Sequence, residues 1–332
     1  MDLPRIMTPT DSYVRHYPYI VELANKQLEE QLWFSSEMKV ALDRMQLLYE
    51  LEPEQTHAIK TVLNYFVRYE LNVGEMWRKV ADLFPRPEVK LASSVVEMVE
   101  RAVHAEFYDQ VNIELGLSND DHYLSFLNDP VMNERAKWLG NLLNDDEDPV
   151  LSVIIFSMIE TAILFSSFAI LKSFQSNGYN LIPVIVRGTN QSAIDEDLHG
   201  LISAEIINTY YSEIGKTLRE DKPRMDKVLQ AVQNAYEHEC RIIDMAVTGD
   251  KLNGVPKQEF KEFVKYRLNE YLTRLHCEPV FKVGECSIID WFEKNTVAYK
   301  SIDFFSSGQG QEYESAWDSE GFVKAWEDVE VG

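Results

Sequence analysis

One apolar segment constrains the fold of this chain more than any other feature. Residues Val150 to Leu171 read VLSVIIFSMIETAILFSSFAIL, with the acidic residue Glu160 at the centre. About 20 apolar residues can span a bilayer, but this stretch contains four serines and its acidic flank Asp145–Asp148 is a poor membrane anchor. A helix that is apolar on every side is otherwise the buried central helix of a bundle. We therefore predict a buried helix in which Glu160 needs a cation or a polar partner.

Composition favours a helical fold, and net charge argues against two classes of partner. The chain has 332 residues, 45% of them hydrophobic, and only 14 Gly and 12 Pro, which favours helices over a turn-rich β-fold. Helical periodicity dominates from about Pro18 to His276. The 55 acidic and 32 basic residues give a net charge of −23, which phosphate backbones and anionic lipids repel. We therefore expect neither nucleic acid nor a membrane as a partner.

The cysteines and the N-terminus predict a cytoplasmic protein. Cys240, Cys277 and Cys286 match no zinc motif, and an odd, sparse set is typical of reduced thiols. The N-terminal sequence MDLPRIMTPTDS has no basic region followed by an apolar one, as a secretory signal would.

A repeated order of acidic residues and histidines predicts a metal site. A lone glutamate on one helix is followed, on the next, by a glutamate and a histidine that share a helix face. This order occurs twice, as Glu70 with Glu100 and His104, and as Glu160 with Glu196 and His199. One carboxylate from each of two helices, with a Glu–His pair from each of two others, is the ligand set of a dinuclear site in a four-helix bundle. Oxygen-rich ligands without thiolates favour iron or manganese over structural zinc.

Single members of this set have ordinary interpretations as well. His199 alone is compatible with a hydrogen-bonded core histidine, and Glu70 could pair with Arg68 or Arg101. Tyr108, one turn beyond the first histidine, could be a radical-forming phenol or a core tyrosine that donates a hydrogen bond. The doubled order and the apolar surroundings of one lone glutamate are what favour the metal site.

A third pair has similar spacing without the same meaning. Glu54 and His57 are three residues apart, but they follow Pro53 directly at a predicted helix start. We expect both to be exposed residues of the helix N-terminus.

The end of the chain differs from the rest. From Ser306 onward it is rich in Gly, Ser and acidic residues. It nevertheless carries four aromatic residues, Tyr313, Trp317, Phe322 and Trp326. A purely solvating tail has few aromatics, so this one either docks on a partner or packs on its own domain. We predict a helical domain over residues 1–305 and a flexible tail over 306–332 that docks on a partner.

The segments that carry these residues resemble the small, radical-generating subunit of class I ribonucleotide reductase, over about residues 25 to 332. The resemblance is carried by YELNVGEMW with PRPEVKLASSVVEMVERAVHAEFY, by SMIETAILFSSFAILKSF with AIDEDLHGLISAEI, and by EFVKYRLNEYLTRL with IIDWFEKNTVAYKSIDFF. It implies an all-α, ferritin-like helical bundle with a dinuclear metal site, assembled as a homodimer.

The resemblance also implies roles for individual residues. The six acidic residues and histidines above correspond to the metal ligands, and Tyr108 to the radical tyrosine. Trp33, in LWFSSE, resembles the tryptophan that opens the radical-transfer path, and Asp195 the aspartate that links it to the ligand His104. Tyr313 resembles the tail tyrosine that relays the radical to the large subunit, and the residues after it resemble the docking peptide.

The implied function is that of a reductase subunit. It assembles a di-iron, dimanganese or mixed centre with an oxygen species and stores an oxidising equivalent on the metals, on the tyrosine or on both. It then passes this equivalent to the large subunit, which reduces ribonucleotides. The alternatives are a ferritin-like dimetal oxidase or hydroxylase that acts directly on a substrate, and a non-enzymatic acidic helical scaffold.

The sequence departs from the family pattern at two ligand positions. Glu100 and His104 are separated by one residue more than the family's Glu-x-x-His, so that alignment backwards from His104 would select Arg101. We predict Glu100 as the ligand, with the extra residue absorbed in a π-bulge, a feature that tends to occur at functional sites. Glu97, seven residues before His104, is the second candidate. Glu70 stands where Asp is common in the family.

Overall fold

The computed structural model of the chain describes residues 3–144 and 147–292, without the side chains of residues 65, 68 and 142–144. The predicted tail over 306–332, its residue Tyr313 and the domain boundary at residue 305 lie outside this range. The side chain of Arg68, a candidate partner of Glu70, lies outside it as well.

Helices make up nearly all regular structure in the described ranges. The α-helices are α1 (Pro18–Lys26), α2 (Pro53–Leu83), α3 (Pro87–Val99), α4 (Ala105–Glu114), α5 (Asp120–Tyr123), α6 (Pro130–Asn144), α7 (Pro149–Met158), α8 (Leu164–Lys172), α9 (Pro183–Glu213), α10 (Lys222–Ala246) and α11 (Lys257–Arg274). Single π-helical turns, called π-turns below, are Gln27–Gln31, Gln46–Glu50, Glu100–His104 and Ile159–Ile163. Short 3-10 turns are Arg5–Met7, Ser35–Glu37, Val40–Asp43, Ser125–Leu127, Ser173–Gln175 and Leu218–Glu220. Strands β1 (Lys251–Leu252) and β2 (Val255–Pro256) form an antiparallel hairpin.

Proline sets the start of most long helices. It is the first residue of α1, α2, α3, α6, α7 and α9, a position where its fixed φ suits the helix and its missing N–H is not needed. Side chains complete two of these starts. Glu52 and Gln55 form a capping box at α2, and Asp148 accepts a hydrogen bond from the backbone N–H of Leu151 at α7. Helices are interrupted at the polar segments LEPEQ, FPRP, GLSNDD, NGYN and TGDKLNG.

Two π-turns join neighbouring helices into continuous rods. The first rod runs from α3 through the π-turn Glu100–His104 into α4, and the second from α7 through Ile159–Ile163 into α8. Helix α2 packs against both rods, and α9 packs against the second rod and α3. Helices α10 and α11 cover the second rod from outside. Helices α2 and α9 and the two rods thus form a bundle of four elements around one core.

The apolar segment of the second rod lies inside this bundle. Pro149–Gln175 is long and apolar enough to cross a membrane, with a mean hydropathy of 2.1, but 94% of the window is buried within the protein. Its surface is therefore already covered by other helices, as predicted for a buried central helix. Near its end, the buried Lys172 ammonium donates to the backbone carbonyl of Phe292 at 3.1 Å.

A close approach between α9 and the first rod depends on Gly188. A Cβ atom at this position would lie 2.2 Å from Cζ of Phe107, which is fully buried. Phe107 cannot swing away freely, because its ring packs edge-on against Trp33 and Tyr108. We expect Gly188→Ala to lower the free energy of unfolding by about 1–3 kcal/mol through overpacking, measured by urea denaturation in one metal state.

The matched control is Gly140→Ala in α6. Among the described residues, a Cβ there would meet no atom of a neighbouring element within 4 Å, and alanine is the better helix former by about 0.5–1 kcal/mol. We expect this variant to be at least as stable as the wild type. Equal stability of the two variants would contradict the assigned contact.

Candidate metal centre

Six fully buried side chains converge where the two rods meet α2 and α9. They are Glu70 on α2, Glu100 and His104 at the two ends of the first rod's π-turn, Glu160 in the π-turn of the second rod, and Glu196 and His199 on α9. The structure thus brings together all six residues that the sequence selected as ligands.

Their ligand atoms form two overlapping groups. Within each group these atoms lie within 4.8 Å of one another; one group is Glu70, Glu100, His104 and Glu196, and the other is Glu100, Glu160, Glu196 and His199. Glu100 and Glu196 belong to both groups. Two overlapping sets of ligands of this kind would hold a pair of cations in a helical bundle.

Both histidines turn Nδ1 toward the shared carboxylates. His104 Nδ1 lies 3.3 Å from Glu100 Oε2 and 3.2 Å from Glu196 Oε1. His199 Nδ1 lies 2.8 Å from Glu100 Oε1 and 3.7 Å from Glu160 Oε2. Each imidazole is therefore oriented to share a cation with the carboxylates it faces.

Several of these atoms form no aligned hydrogen bond with any described residue. They include both carboxylate oxygens of Glu70, both of Glu196 and both ring nitrogens of His199. Buried polar atoms are normally paired, and an unpaired buried carboxylate is costly. These atoms belong to the two groups whose members lie within 4.8 Å of one another, and their lack of partners fits a pair of bound cations.

The protonation of the cluster reflects its burial. Burial raises the pKa of Glu70 and of Glu160 well above the ordinary carboxyl range, and neighbouring carboxylates add to this effect. Burial acts in the same direction on Glu196, but the close approach of Glu160 and both histidines outweighs it and lowers that pKa. Burial would lower the pKa of His104 and His199, yet the surrounding carboxylates raise it. Without metal the cluster therefore holds protons, which bound cations would displace.

The extra residue in the first rod lies in the π-turn Glu100–His104, so the predicted π-bulge is confirmed. With this π-turn, the other two candidate ligands, Glu97 and Arg101, lie outside the cluster. Glu97 accepts hydrogen bonds from Arg78 at 2.5 Å and from Arg101 at 3.0 Å. Arg101 also donates to Glu75 rather than to Glu70. Glu97 and Arg101 are thus parts of a surface ion-pair network.

A chain of hydrogen bonds leads outward from the cluster. Trp33 Nε1 donates to Asp195 Oδ2 at 2.8 Å, and the same oxygen lies 3.0 Å from His104 Nε2. All three side chains are buried. The structure therefore brings Trp33, Asp195 and His104 together in the order that the resemblance implied.

Sequence reasoning missed two polar partners of this site. Gln27 Nε2 donates to the other oxygen of Asp195 at 2.9 Å, and nothing in QLEEQLW distinguishes this glutamine. Trp77 Nε1 donates to Glu160 Oε1 at 2.5 Å. Trp77 could have been found, because it lies two helical turns after Glu70 and so shares its face of α2.

Tyr108 is fully buried and one turn beyond His104. Its ring centroid lies 4.5 Å from that of Phe66 and 5.0 Å from that of Phe107. Burial raises the pKa of its phenol, and the nearby Glu70 carboxylate raises it further. Tyr108 is therefore a neutral phenol in a dry aromatic pocket beside the cluster.

The third Glu–His pair is exposed, as expected. Glu54 and His57 face solvent in the first turns of α2, and His57 Nε2 lies 2.8 Å from the backbone carbonyl of Met245. The three cysteines are unpaired in the described structure.

Comparisons with known proteins agree with this geometry. A family model described as ribonucleotide reductase, small chain, matches residues 13–286. A ribonucleoside-diphosphate reductase small chain from Arabidopsis thaliana is 24% identical over 322 residues, which cover 94% of this chain and 90% of that protein.

Solved structures share the fold. The ribonucleotide reductase R2 subunit from Clostridium botulinum matches with a TM-score of 0.74 at 16% identity, over 84% of this chain and 88% of that one. The dimanganese(II)-NrdF of Streptococcus sanguinis matches with a TM-score of 0.67 at 16% identity, over 83% and 95%. The predicted all-α, ferritin-like bundle is thus confirmed. Because the family model covers most of the chain, the protein belongs to the ribonucleotide reductase small-chain family, the small subunits of ribonucleoside-diphosphate reductase.

Proposed function

We propose that this subunit assembles a dinuclear metal cofactor and stores the oxidising equivalent that ribonucleotide reduction requires. The observation that carries the proposal is the pair of overlapping ligand groups, which share Glu100 and Glu196. In the proposed centre, Glu70 and His104 would complete one metal site, and Glu160 and His199 would complete the other. The hard, oxygen-rich donor set suits iron or manganese, so the pair is di-iron, dimanganese or mixed.

The residues around the centre have separate tasks in this proposal. When bound, the metal pair would supply the oxidising equivalent from an oxygen species. Tyr108 offers a buried phenol one turn from His104 on which that equivalent can be held. Asp195 accepts hydrogen bonds from Trp33 and Gln27, and so holds the indole in line with the ligand His104.

Transfer to a partner completes the proposal. The equivalent passes from Trp33 by way of Tyr313 to the large subunit, which binds and reduces the ribonucleotide. The tail over residues 306–332 docks on that subunit, and residues 1–305 form the ferritin-like domain of a cytoplasmic homodimer. The three free cysteines support an intracellular location.

Metal loading tests the ligand assignment through a matched pair of variants. We expect Glu100→Ala to lose both metals, because this carboxylate belongs to both ligand groups. We expect Glu97→Ala, three residues away on the surface network, to hold about two metal ions per chain like the wild type. Metal quantification after anaerobic loading with Fe(II) or Mn(II) gives the result, with circular dichroism as a check of folding. Full loading of Glu100→Ala would contradict the proposed centre.

The role of Tyr108 is tested by removing one oxygen atom. We expect Tyr108→Phe to keep its metals and to lose any tyrosyl-radical signal in electron paramagnetic resonance. Tyr271→Phe is the control, because Tyr271 is also buried but donates to the backbone carbonyl of Ile154 at 2.8 Å. It should keep the radical. Unchanged reductase activity in Tyr108→Phe would place the oxidant on the metals alone.

Deletion of residues 306–332 tests the route to the partner. We expect the shortened protein to load metal normally, and to lose both binding to the large subunit and ribonucleotide reduction. Tyr313→Phe should bind the large subunit with wild-type affinity and still lose turnover, because the docking residues remain. Binding measurements and turnover assays with the cognate large subunit separate these outcomes. Turnover that survives the deletion would favour a dimetal oxidase that acts directly on its substrate.

A further inference from the structure

Two hydroxyl groups beside the metal cluster lack ordinary partners. Tyr108 and Ser192 are both fully buried, and neither hydroxyl forms an aligned hydrogen bond with another described residue. Other buried hydroxyls on α9 donate to carbonyls of their own helix: Thr189 to Ile185 at 2.9 Å, and Ser203 to Gly200 at 3.0 Å. Ser192 does not use this common arrangement of helical serines, so its hydroxyl is available to another group.

The contacts between the first rod and α9 indicate which group lies beside the Ser192 hydroxyl. Glu100 Oε1 lies 2.8 Å from His199 Nδ1, and one turn further along the rod His104 Nδ1 lies 3.2 Å from Glu196 Oε1. The residue numbers rise along the rod while they fall along α9. The two elements are therefore antiparallel here, and contacts recur at each turn.

The next turn brings Tyr108 opposite Ser192. Tyr108 follows His104 by four residues, and Ser192 precedes Glu196 by four. One further turn back along α9, the ring of Phe107 packs directly on the backbone of Gly188. On α9, Ser192 thus lies between Glu196 and Gly188, which contact His104 and Phe107 of the rod. Tyr108 directly follows Phe107, so this register places Ser192 on the turn of α9 beside the phenol.

The electrostatics of the phenol agree with this placement. Burial and the Glu70 carboxylate raise the pKa of Tyr108, whereas the nearby Ser192 hydroxyl lowers it. The aromatic neighbours Phe66 and Phe107 offer the phenol no polar atom.

We propose that Ser192 is a positioning residue whose hydroxyl hydrogen-bonds to the phenolic oxygen of Tyr108. A serine hydroxyl can donate or accept. It can therefore accept from the phenol, and by rotating about its Cβ–Oγ bond it can donate to an oxygen that has lost its hydrogen. Ser192 would thus hold the Tyr108 ring in one orientation in both states. This inference rests on the proposed role of Tyr108 as radical carrier.

The test compares Ser192→Ala with Ser203→Ala, a buried serine on the same helix whose hydroxyl donates to its own helix. High-field electron paramagnetic resonance and deuterium double resonance are recorded on the metal-loaded radical in D2O. A hydrogen bond to the radical oxygen lowers its largest g value and adds a coupling to an exchangeable deuteron. We expect the wild type and Ser203→Ala to show both features, and Ser192→Ala to lose the coupling and shift its largest g value upward.

A second arm needs neither metal nor radical. Ultraviolet resonance Raman spectra of the metal-free protein, minus those of Tyr108→Phe, isolate the signal of this one phenol. The hydrogen-bond-sensitive tyrosine doublet of that difference should change in Ser192→Ala and not in Ser203→Ala.

The two arms separate two kinds of failure. If the wild type forms no tyrosyl radical, the proposed role of Tyr108 is wrong, and the metal-free arm still decides on Ser192. A Ser192→Ala protein whose difference doublet matches the wild type overturns the proposal, as does a deuteron coupling that persists in Ser192→Ala.

Discussion

The desolvation of four carboxylates in one helical core is the constraint on which the rest of this structure depends. Glu70, Glu100, Glu160 and Glu196 are fully buried, and charges of one sign cannot remain together in a dry core without protons or cations. Two histidines and a pair of metal ions resolve this conflict in the proposed centre. The ligands come from two long helices and two rods, so the packing of all four elements is needed to bring them together.

The π-turns show how the rods serve this cluster. Glu100 and His104 bound one π-turn, and Glu160 lies in the other. A π-turn adds a residue to a helical turn and shifts the face that later residues present, which is why it tends to occur at functional sites. The π-turn Glu100–His104 could be predicted, because the spacing between these two residues exceeds the family's Glu-x-x-His spacing by one residue. The second could not, since Glu160 has no paired ligand on its own helix to reveal a change of register.

Features that lie within a short stretch of sequence could be predicted, and contacts between distant parts of the chain could not. The helix start at Pro53, the buried apolar helix and the repeated Glu and Glu–His order can all be read from short stretches of sequence. Gln27 was missed because its partner Asp195 lies far away in the chain. Trp77 could have been selected because it shares a helix face with Glu70, but its partner Glu160 is likewise distant in the chain. Such contacts depend on how whole helices pack. The pairing of Ser192 with Tyr108 likewise becomes visible only once the antiparallel register of α9 and the first rod is known.

Two indole rings donate hydrogen bonds to this centre, and their surroundings differ. Trp77 bonds to Glu160 and is closed in by Phe156, whose ring lies edge-on at 5.7 Å in the fully buried core. Trp33 bonds to Asp195 from an irregular segment, and the next residue, Phe34, is 52% exposed. In the proposed function the oxidising equivalent must reach the surface. Trp33 is itself buried but is followed by the exposed Phe34, whereas Trp77 lies wholly within the core. This difference supports Trp33 as the start of the path outward and leaves Trp77 the task of orienting Glu160.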